Sequence, residues 1–174
     1  MRDQVREALF QRLGDVSDKV VLDLFAGSGS LGLEALSRGA ARVTFVDRAK
    51  VCLSCVRRNV QAIGAEDRSS IRRHDLASGL SGLSDEGPFD LVLMDPPFPL
   101  LRSAPGPGEP DIRTLLREMG HGCATREGTE VAFESPSRAF RIDAELADMR
   151  LELVTRREYG STALWILTAL GSTP

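Results

Sequence analysis

Four aspartates among the first hundred residues each stand at or near the end of an apolar run. Asp23 lies late in Lys19–Leu24 (KVVLDL), Asp47 ends Ala41–Val46 (ARVTFV), Asp75 follows the weaker Ser70–Arg73, and Asp95 ends Phe89–Met94 (FDLVLM). One aspartate in such a place commonly caps a turn, but four in succession make a pattern. Between the first two, Gly27-Ser28-Gly29-Ser30-Leu31-Gly32 matches G-x-G-x-x-G, and Asp47 falls twenty residues after Gly27, near the spacing of an acid that binds a ribose. By itself this admits NAD as readily as any other adenosine cofactor. A dehydrogenase would also need a substrate domain and a proton-transferring residue. A chain of 174 residues leaves little room for the first, and the two histidines, His74 and His121, stand in unpersuasive contexts for the second.

The elements that must position these residues follow from periodicity. Val5, Leu9, Phe10 and Leu13 recur at helical spacing, so Gln4–Leu13 reads as an amphipathic helix ended by Gly14. Lys19–Leu24 reads as a strand that turns through the glycines into a helix marked by Leu31, Leu33, Ala35 and Leu36 and stopped at Gly39. Ala41–Val46 is a second strand, Ala49–Ile63 a second helix capped by Gly64, Ser70–Arg73 a third strand and Phe89–Met94 a fourth, apolar enough to be buried. Pro96 to Pro110 holds six of the nine prolines and reads as a long surface loop placed to close over the end of the fourth strand. Ile112–Gly120 is helical, Thr129–Glu134 a fifth strand, and Leu151–Glu158 with Ala163–Leu170 a hairpin around Tyr159-Gly160-Ser161-Thr162. The alternation implies a single α/β domain, doubly wound around a seven-stranded, mostly parallel sheet with an antiparallel C-terminal hairpin. In such sheets ligands sit outside the carboxyl ends of the strands, where the four acids stand.

Composition narrows the partners. Net charge is −3, which argues against holding nucleic acid by bulk electrostatics alone. The charge is uneven, with 13 basic and 10 acidic residues up to Asp75 and 9 against 15 after it. Three cysteines and no apolar run near eighteen residues point to a reducing, cytoplasmic setting away from membranes. Cys52 and Cys55 form a C-x-x-C, but Cys123 is remote and only the histidines could complete a ligand set. The pair therefore reads as small buried residues one helical turn apart, and no metal is expected.

The segment Asp23-Leu24-Phe25-Ala26-Gly27-Ser28-Gly29-Ser30-Leu31-Gly32-Leu33-Glu34-Ala35, with Ser37-Arg38-Gly39-Ala40 after it and Asp95-Pro96-Pro97-Phe98 further on, resembles class I S-adenosylmethionine-dependent methyltransferases. More narrowly the chain resembles the RsmD type, which methylates the exocyclic N2 of a guanine in 16S ribosomal RNA. Val5-Arg6-Glu7-Ala8-Leu9-Phe10 and Arg157-Glu158-Tyr159-Gly160 are similar to that group, so the resemblance reaches nearly from end to end.

The resemblance implies S-adenosylmethionine as cofactor, held by Asp23, Phe25, Ala26, Gly27, Ser28, Gly29, Asp47, Asp75 and Leu76. Gly27 and Gly29 would let the backbone approach it. Asp23 would face its methionyl amino group through water, Asp47 its ribose hydroxyls, and Asp75 with Leu76 its adenine. Asp95, Pro96, Pro97 and Phe98 would carry catalysis. The Asp95 carboxylate and the Pro96 carbonyl would accept from the two hydrogens of an exocyclic amine, the prolines would stiffen the turn, and Phe98 would stack on the base. A base in a duplex cannot reach such a site, so the target would be unpaired or flipped. Implied partners are 16S rRNA or a small-subunit assembly intermediate, the protein acting as a monomer, with Arg2, Arg6, Arg12 and Arg102 as phosphate contacts. The family usually carries a basic stretch ahead of the first helix; here three residues precede Gln4, so the remaining RNA contacts are expected within the first 75 residues. Asp rather than Asn at 95 tilts the reading to guanine. An adenine-N6 or other nucleic-acid methyltransferase, or a non-catalytic cofactor- or RNA-binding module, stands as the alternative.

Overall fold

A computed structural model describes residues 1–101 and 104–171. In chain order it builds α1 (Asp3–Leu13), β1 (Val20–Leu24), α2 (Ser30–Ser37), β2 (Arg42–Asp47), α3 (Lys50–Ala62), β3 (Ser69–Arg73), β4 (Phe89–Met94), α4 (Ile112–Gly120), β5 (Thr125–Pro136), β6 (Leu151–Tyr159) and β7 (Thr162–Ala169). The seven strands form one sheet in the order β3-β2-β1-β4-β5-β7-β6. Pairing is parallel from β3 to β5, while β7 runs antiparallel to both β5 and β6. The sheet is thus α/β and mostly parallel, and its C-terminal hairpin returns one reversed strand between β5 and β6.

Both faces of the sheet are covered, which is why β1, β2 and β4 are apolar almost without interruption. Alternate side chains divide between two cores. Val21, Phe45, Leu93, Ala132 and Leu164 pack under α1, α2 and α3 through residues such as Phe10, Leu31 and Val56. Leu22, Val92, Phe133 and Trp165 pack on the other face against Leu115 and Met119 of α4 and against Leu76, Leu80 and Leu83. Those last three leucines come from a segment with no periodic signal, which makes two short 3-10 turns, Leu76–Ser78 and Ser81–Glu86. Trp165 stacks on Phe133 at 5.8 Å and donates through its indole N–H to the Ser135 hydroxyl at 2.9 Å, so burying it leaves that polar atom satisfied.

Two expectations change. The fifth strand runs past Thr129–Glu134 at both ends: Thr125 pairs with Phe89 before a register shift, near Gly128 at φ +85°, and Pro136 pairs with Thr162. A bulge of this kind breaks the alternation that marks a strand in sequence. The stretch 96–110 is not wholly a surface loop either. Phe98–Leu101 makes a 3-10 turn, the Leu100 N–H donates to the Pro97 carbonyl at 2.9 Å, and Leu101 and Pro110 are buried. A first helical turn does not need its own early N–H groups, so prolines suit it. Arg102 lies outside the described residues. Among those residues, no helix is long and apolar enough to cross a membrane.

Candidate active site

Strand register decides which of the acids can meet. Leu24 pairs with both Val46 and Met94, so β1, β2 and β4 reach their carboxyl ends in one layer, while β5, level with them at Phe133, runs on to Pro136. One step on stand Phe25, Asp47 and Asp95. On the outer side Asp47 pairs with Arg73, which sets His74 and Asp75 beside it. A pocket of about 230 Å³ opens there, with Phe25, Gly27, Asp47, Asp75, Leu76 and Asp95 in its wall.

The glycine turn is fastened to the end of β2. The Ala26 N–H donates to the Val46 carbonyl at 3.0 Å, and the Gly27 N–H to one oxygen of Asp47 at 3.0 Å. The other oxygen of Asp47 accepts from the Ala49 N–H at 2.8 Å and so holds the start of α3. Each carboxylate oxygen has a second lone pair, and Asp47 lines the pocket with those still to offer. Gly27 (φ +56°) and Gly29 (φ +84°) adopt the left-handed conformation that the turn requires, and Phe25 does so at φ +58° without being glycine. Such strain in an L-residue persists where the surroundings over-determine it, commonly at a functional turn. The third glycine, Gly32, serves packing. A Cβ there would lie 2.3 Å from Phe45 Cε1 and 2.8 Å from Val43 Cγ1, so α2 rests directly on β2.

Asp23 stands beneath the turn. It is 1% exposed, and its carboxylate accepts from the Gly32 N–H at 2.9 Å. Burial, reinforced by the neighbouring Asp95 and Asp47 carboxylates and opposed by the Gly32 bond, pushes its pKa from 3.8 to about 7. At the other end of the pocket, Asp75 is exposed and caps the turn after it, accepting from the Ala77 N–H at 3.1 Å, with Leu76 buried behind it. His74 also lines the pocket, its ring fixed by donating from Nε2 to the Gly79 carbonyl at 2.7 Å.

Asp95 is partly exposed and accepts from the Met1 amino group; Pro96 is buried, Pro97 exposed, and Phe98 half-buried against the α4-side core. The two terminal strings of the sequence also converge here. From α1 and the residue before it, Arg12 donates to the Tyr159 hydroxyl and Arg2 to the Tyr159 carbonyl, both at 3.3 Å, at the turn joining β6 and β7. Arg6 is half-buried and pairs with Asp3 at 3.1 Å.

Both terminal strings and the glycine turn fall within one sequence match, to a family described as conserved hypothetical protein 95, over residues 1–168. The chain belongs to this family. It is 39% identical over 98 residues to ribosomal RNA small subunit methyltransferase D of Escherichia coli strain K12, covering 55% of this chain and 48% of that protein. The chain spans about half the length of the curated relatives it matches. A conserved hypothetical protein from Streptococcus pyogenes has the same fold, with a TM-score of 0.71 and 25% identity over 94% of both chains. An RNA methyltransferase from Salinibacter ruber, in complex with S-adenosyl-L-homocysteine, shares the fold alone: its TM-score is 0.67 at 16% identity, over 100% of this chain and 95% of that one.

In this member of the conserved hypothetical protein 95 family, Phe25, Gly27, Asp47, Asp75, Leu76, Asp95 and Pro97 come together around the pocket. Asp23, Ala26, Ser28, Gly29, Pro96 and Phe98 stand behind or beside its wall. Sequence reasoning missed Arg48 and His74, which flank Asp47 and Asp75 in the pocket wall, and Leu100 and Pro110, which line it from the proline-rich stretch and which no local signal marks. It also missed Glu134, buried near the end of β5 and interacting with Asp95. Here a signal existed, because the same reading that flagged four acids at strand ends also ended its fifth strand on an acid. The C-x-x-C lies on α3 with both thiols free. Burial and the Asp47 carboxylate raise the Cys52 pKa, which keeps it a thiol. Among the described residues no group of three His, Cys, Asp or Glu side chains could hold a metal ion.

Proposed function

We propose that this chain is a single methyltransferase domain that transfers a methyl group from S-adenosylmethionine to the exocyclic N2 of a guanine in 16S ribosomal RNA. The observation that carries this reading is one pocket shared by Asp47, Asp75 and Asp95. Two of these acids suit an adenosine cofactor and the third an acceptor amine. The residues fit the cofactor: Asp47 keeps lone pairs for two hydroxyls, Leu76 offers an apolar surface, and a Cβ on Gly27 would have nothing nearer than 3.9 Å, so the backbone there is open to a ligand. When bound, S-adenosylmethionine supplies a methyl group on a sulfonium, and the bonding pair stays with sulfur on transfer.

The chain's own residues then do the rest. An exocyclic amine is a poor nucleophile because its lone pair is delocalised into the ring. Asp95 and the Pro96 carbonyl, by accepting from its two hydrogens, localise that pair. The pair forms the new N–C bond, positive charge develops on nitrogen, and the anionic Asp95 stabilises it where it appears. One hydrogen of that nitrogen then leaves as a proton through Asp95 or water. Arg2 and Arg12, which both reach Tyr159, and Arg6 on α1 are the proposed phosphate contacts, with 16S rRNA or a small-subunit precursor in the cytoplasm as partner and the protein acting as a monomer.

The test is transfer from tritiated S-adenosylmethionine to small ribosomal subunits and to naked 16S rRNA from cells lacking the protein, with DNA alongside, followed by mapping of the modified base. Label on guanine N2 at one position is expected. Label on adenine or on DNA, or none despite cofactor binding, overturns the proposal in favour of an adenine-N6 enzyme or a binding module.

A further inference from the structure

Glu134 is a buried acid that neither core uses. Its residue is 4% exposed, and the Thr162 hydroxyl, at the start of β7, is the neutral polar group that acts on its carboxyl. A carboxylate has about four acceptor sites, and one drawn this far out of bulk water gains from any further donor that reaches it.

Its position says where those donors would come from. Met94 and Phe133 are paired, so Asp95, just past the end of β4, and Glu134, two residues short of the end of β5, follow side by side on neighbouring parallel strands whose backbones run roughly 4.8 Å apart. Alternation sends Glu134 to the face of Ala132, and Asp95 continues the face of Leu93; both belong to the α1-side core. The electrostatics of Glu134 agree. Burial raises its pKa most, the Asp95 carboxylate next, and the Met1 amino group, the Thr162 hydroxyl and Arg2 oppose the rise. Two carboxyls thus stand one strand apart on the same side of the sheet, with the Met1 amino group and Arg2 beside them.

We infer that Glu134 accepts from the N1–H of the acceptor guanine while Asp95 and the Pro96 carbonyl hold its N2 amine, which makes Glu134 the residue that selects guanine. Among the common bases, adenine and cytosine carry their exocyclic amine beside an unprotonated ring nitrogen, an acceptor. Guanine alone carries an amine beside a ring N–H. Asp95 by itself can hold any of these amines. A second carboxylate beside it attracts the guanine edge and repels the lone pair that adenine or cytosine would present. Accepting from N1–H also pushes electron density into the ring and makes N2 a better nucleophile.

This inference rests on the guanine-N2 reading, and its test separates the two. The probe is 16S rRNA ligated so that the mapped target guanine is either kept or replaced by 2-aminopurine, which retains the amine but presents a bare N1. Each RNA is offered free and reconstituted with small-subunit proteins. Wild-type protein is expected to favour guanine by about 10- to 100-fold in kcat/KM. Glu134→Gln can donate to a bare N1, so that preference should shrink at least about tenfold, with S-adenosylhomocysteine affinity within about threefold of wild type as the folding control. Should Glu134→Gln not fold, Glu134→Asp, which withdraws the carboxylate by one methylene, should lose at least about tenfold on guanine and little on 2-aminopurine. Equal wild-type transfer to both bases, an unchanged preference in Glu134→Gln, or equal losses on both bases in Glu134→Asp overturns the inference and leaves guanine-N2 transfer standing. Absence of any label on guanine in wild type overturns the proposed function itself.

Discussion

Replacing Asp23 by Asn should make the protein more resistant to unfolding as pH rises. Asp23 is 1% exposed, with a pKa moved from 3.8 to about 7 chiefly by burial and further by Asp95 and Asp47. Above pH 3.8 the unfolded chain has given up this proton, whereas the folded protein keeps it until about pH 7. Stability is therefore lost as pH climbs through that window and levels off above it. The full difference is about 4 kcal/mol at pH 8, of which roughly 1.5 kcal/mol is already present at pH 5. An amide does not titrate, and its oxygen can still accept from the Gly32 N–H. Its NH2 is a new buried donor, a pH-independent loss of about 1–3 kcal/mol. The stability of Asp23→Asn minus that of wild type should therefore grow by roughly 2.5 kcal/mol from pH 5 to pH 8. Urea unfolding followed by circular dichroism at four pH values measures it. A difference that stays constant across the range would refute the claim that Asp23 is a buried acid carried at a loss. The same substitution should weaken S-adenosylhomocysteine binding by up to about tenfold, since under the proposed function the negative charge serves the cofactor's ammonium.

Three further substitutions probe the rest of the site. Asp95→Ala should lower turnover by at least about a hundredfold and leave S-adenosylhomocysteine affinity, read by calorimetry, within a few-fold; undiminished turnover would sink the mechanism. Asp47→Asn places an NH2 where the Gly27 or Ala49 N–H now donates. It should weaken S-adenosylhomocysteine by at least about tenfold, and tight binding of NAD to the wild type in the same titrations would contradict the cofactor assignment. Gly32→Ala adds a Cβ 2.3 Å from Phe45, so α2 must lift off β2. The gain of about 1 kcal/mol in helix propensity does not cover an overpacking strain of about 1–3 kcal/mol compounded by movement of the Asp23 bond, and a lower urea midpoint is expected; an unchanged midpoint would show that the contact yields freely.

Much of this architecture is local and hence visible in the residues themselves. Apolar runs of strand length, helical periodicity and glycine stops are set by short-range sterics, and they delivered the strand and helix order, the glycine turn and the acids at the strand ends. The D-P-P-F string and the paired terminal strings were equally plain. What the sequence could not contain was register. The same Asp23 that stands with the other acids in the linear reading is placed by its partner Leu93 two positions below the level of Asp95, under Gly32, while Asp95 comes level with Asp47. Leu100 and Pro110 reach the pocket only because a 3-10 turn and buried anchors fold the proline-rich stretch back, and Glu134 meets Asp95 only because β5 pairs with β4 in that one alignment. Tyr159 receives Arg2 and Arg12 across most of the chain's length because β7 turns back between β5 and β6. The sequence by itself determined which side chains are chemically competent; the tertiary structure decided which of them are neighbours, because juxtaposition across strands depends on long-range pairing that no local pattern encodes.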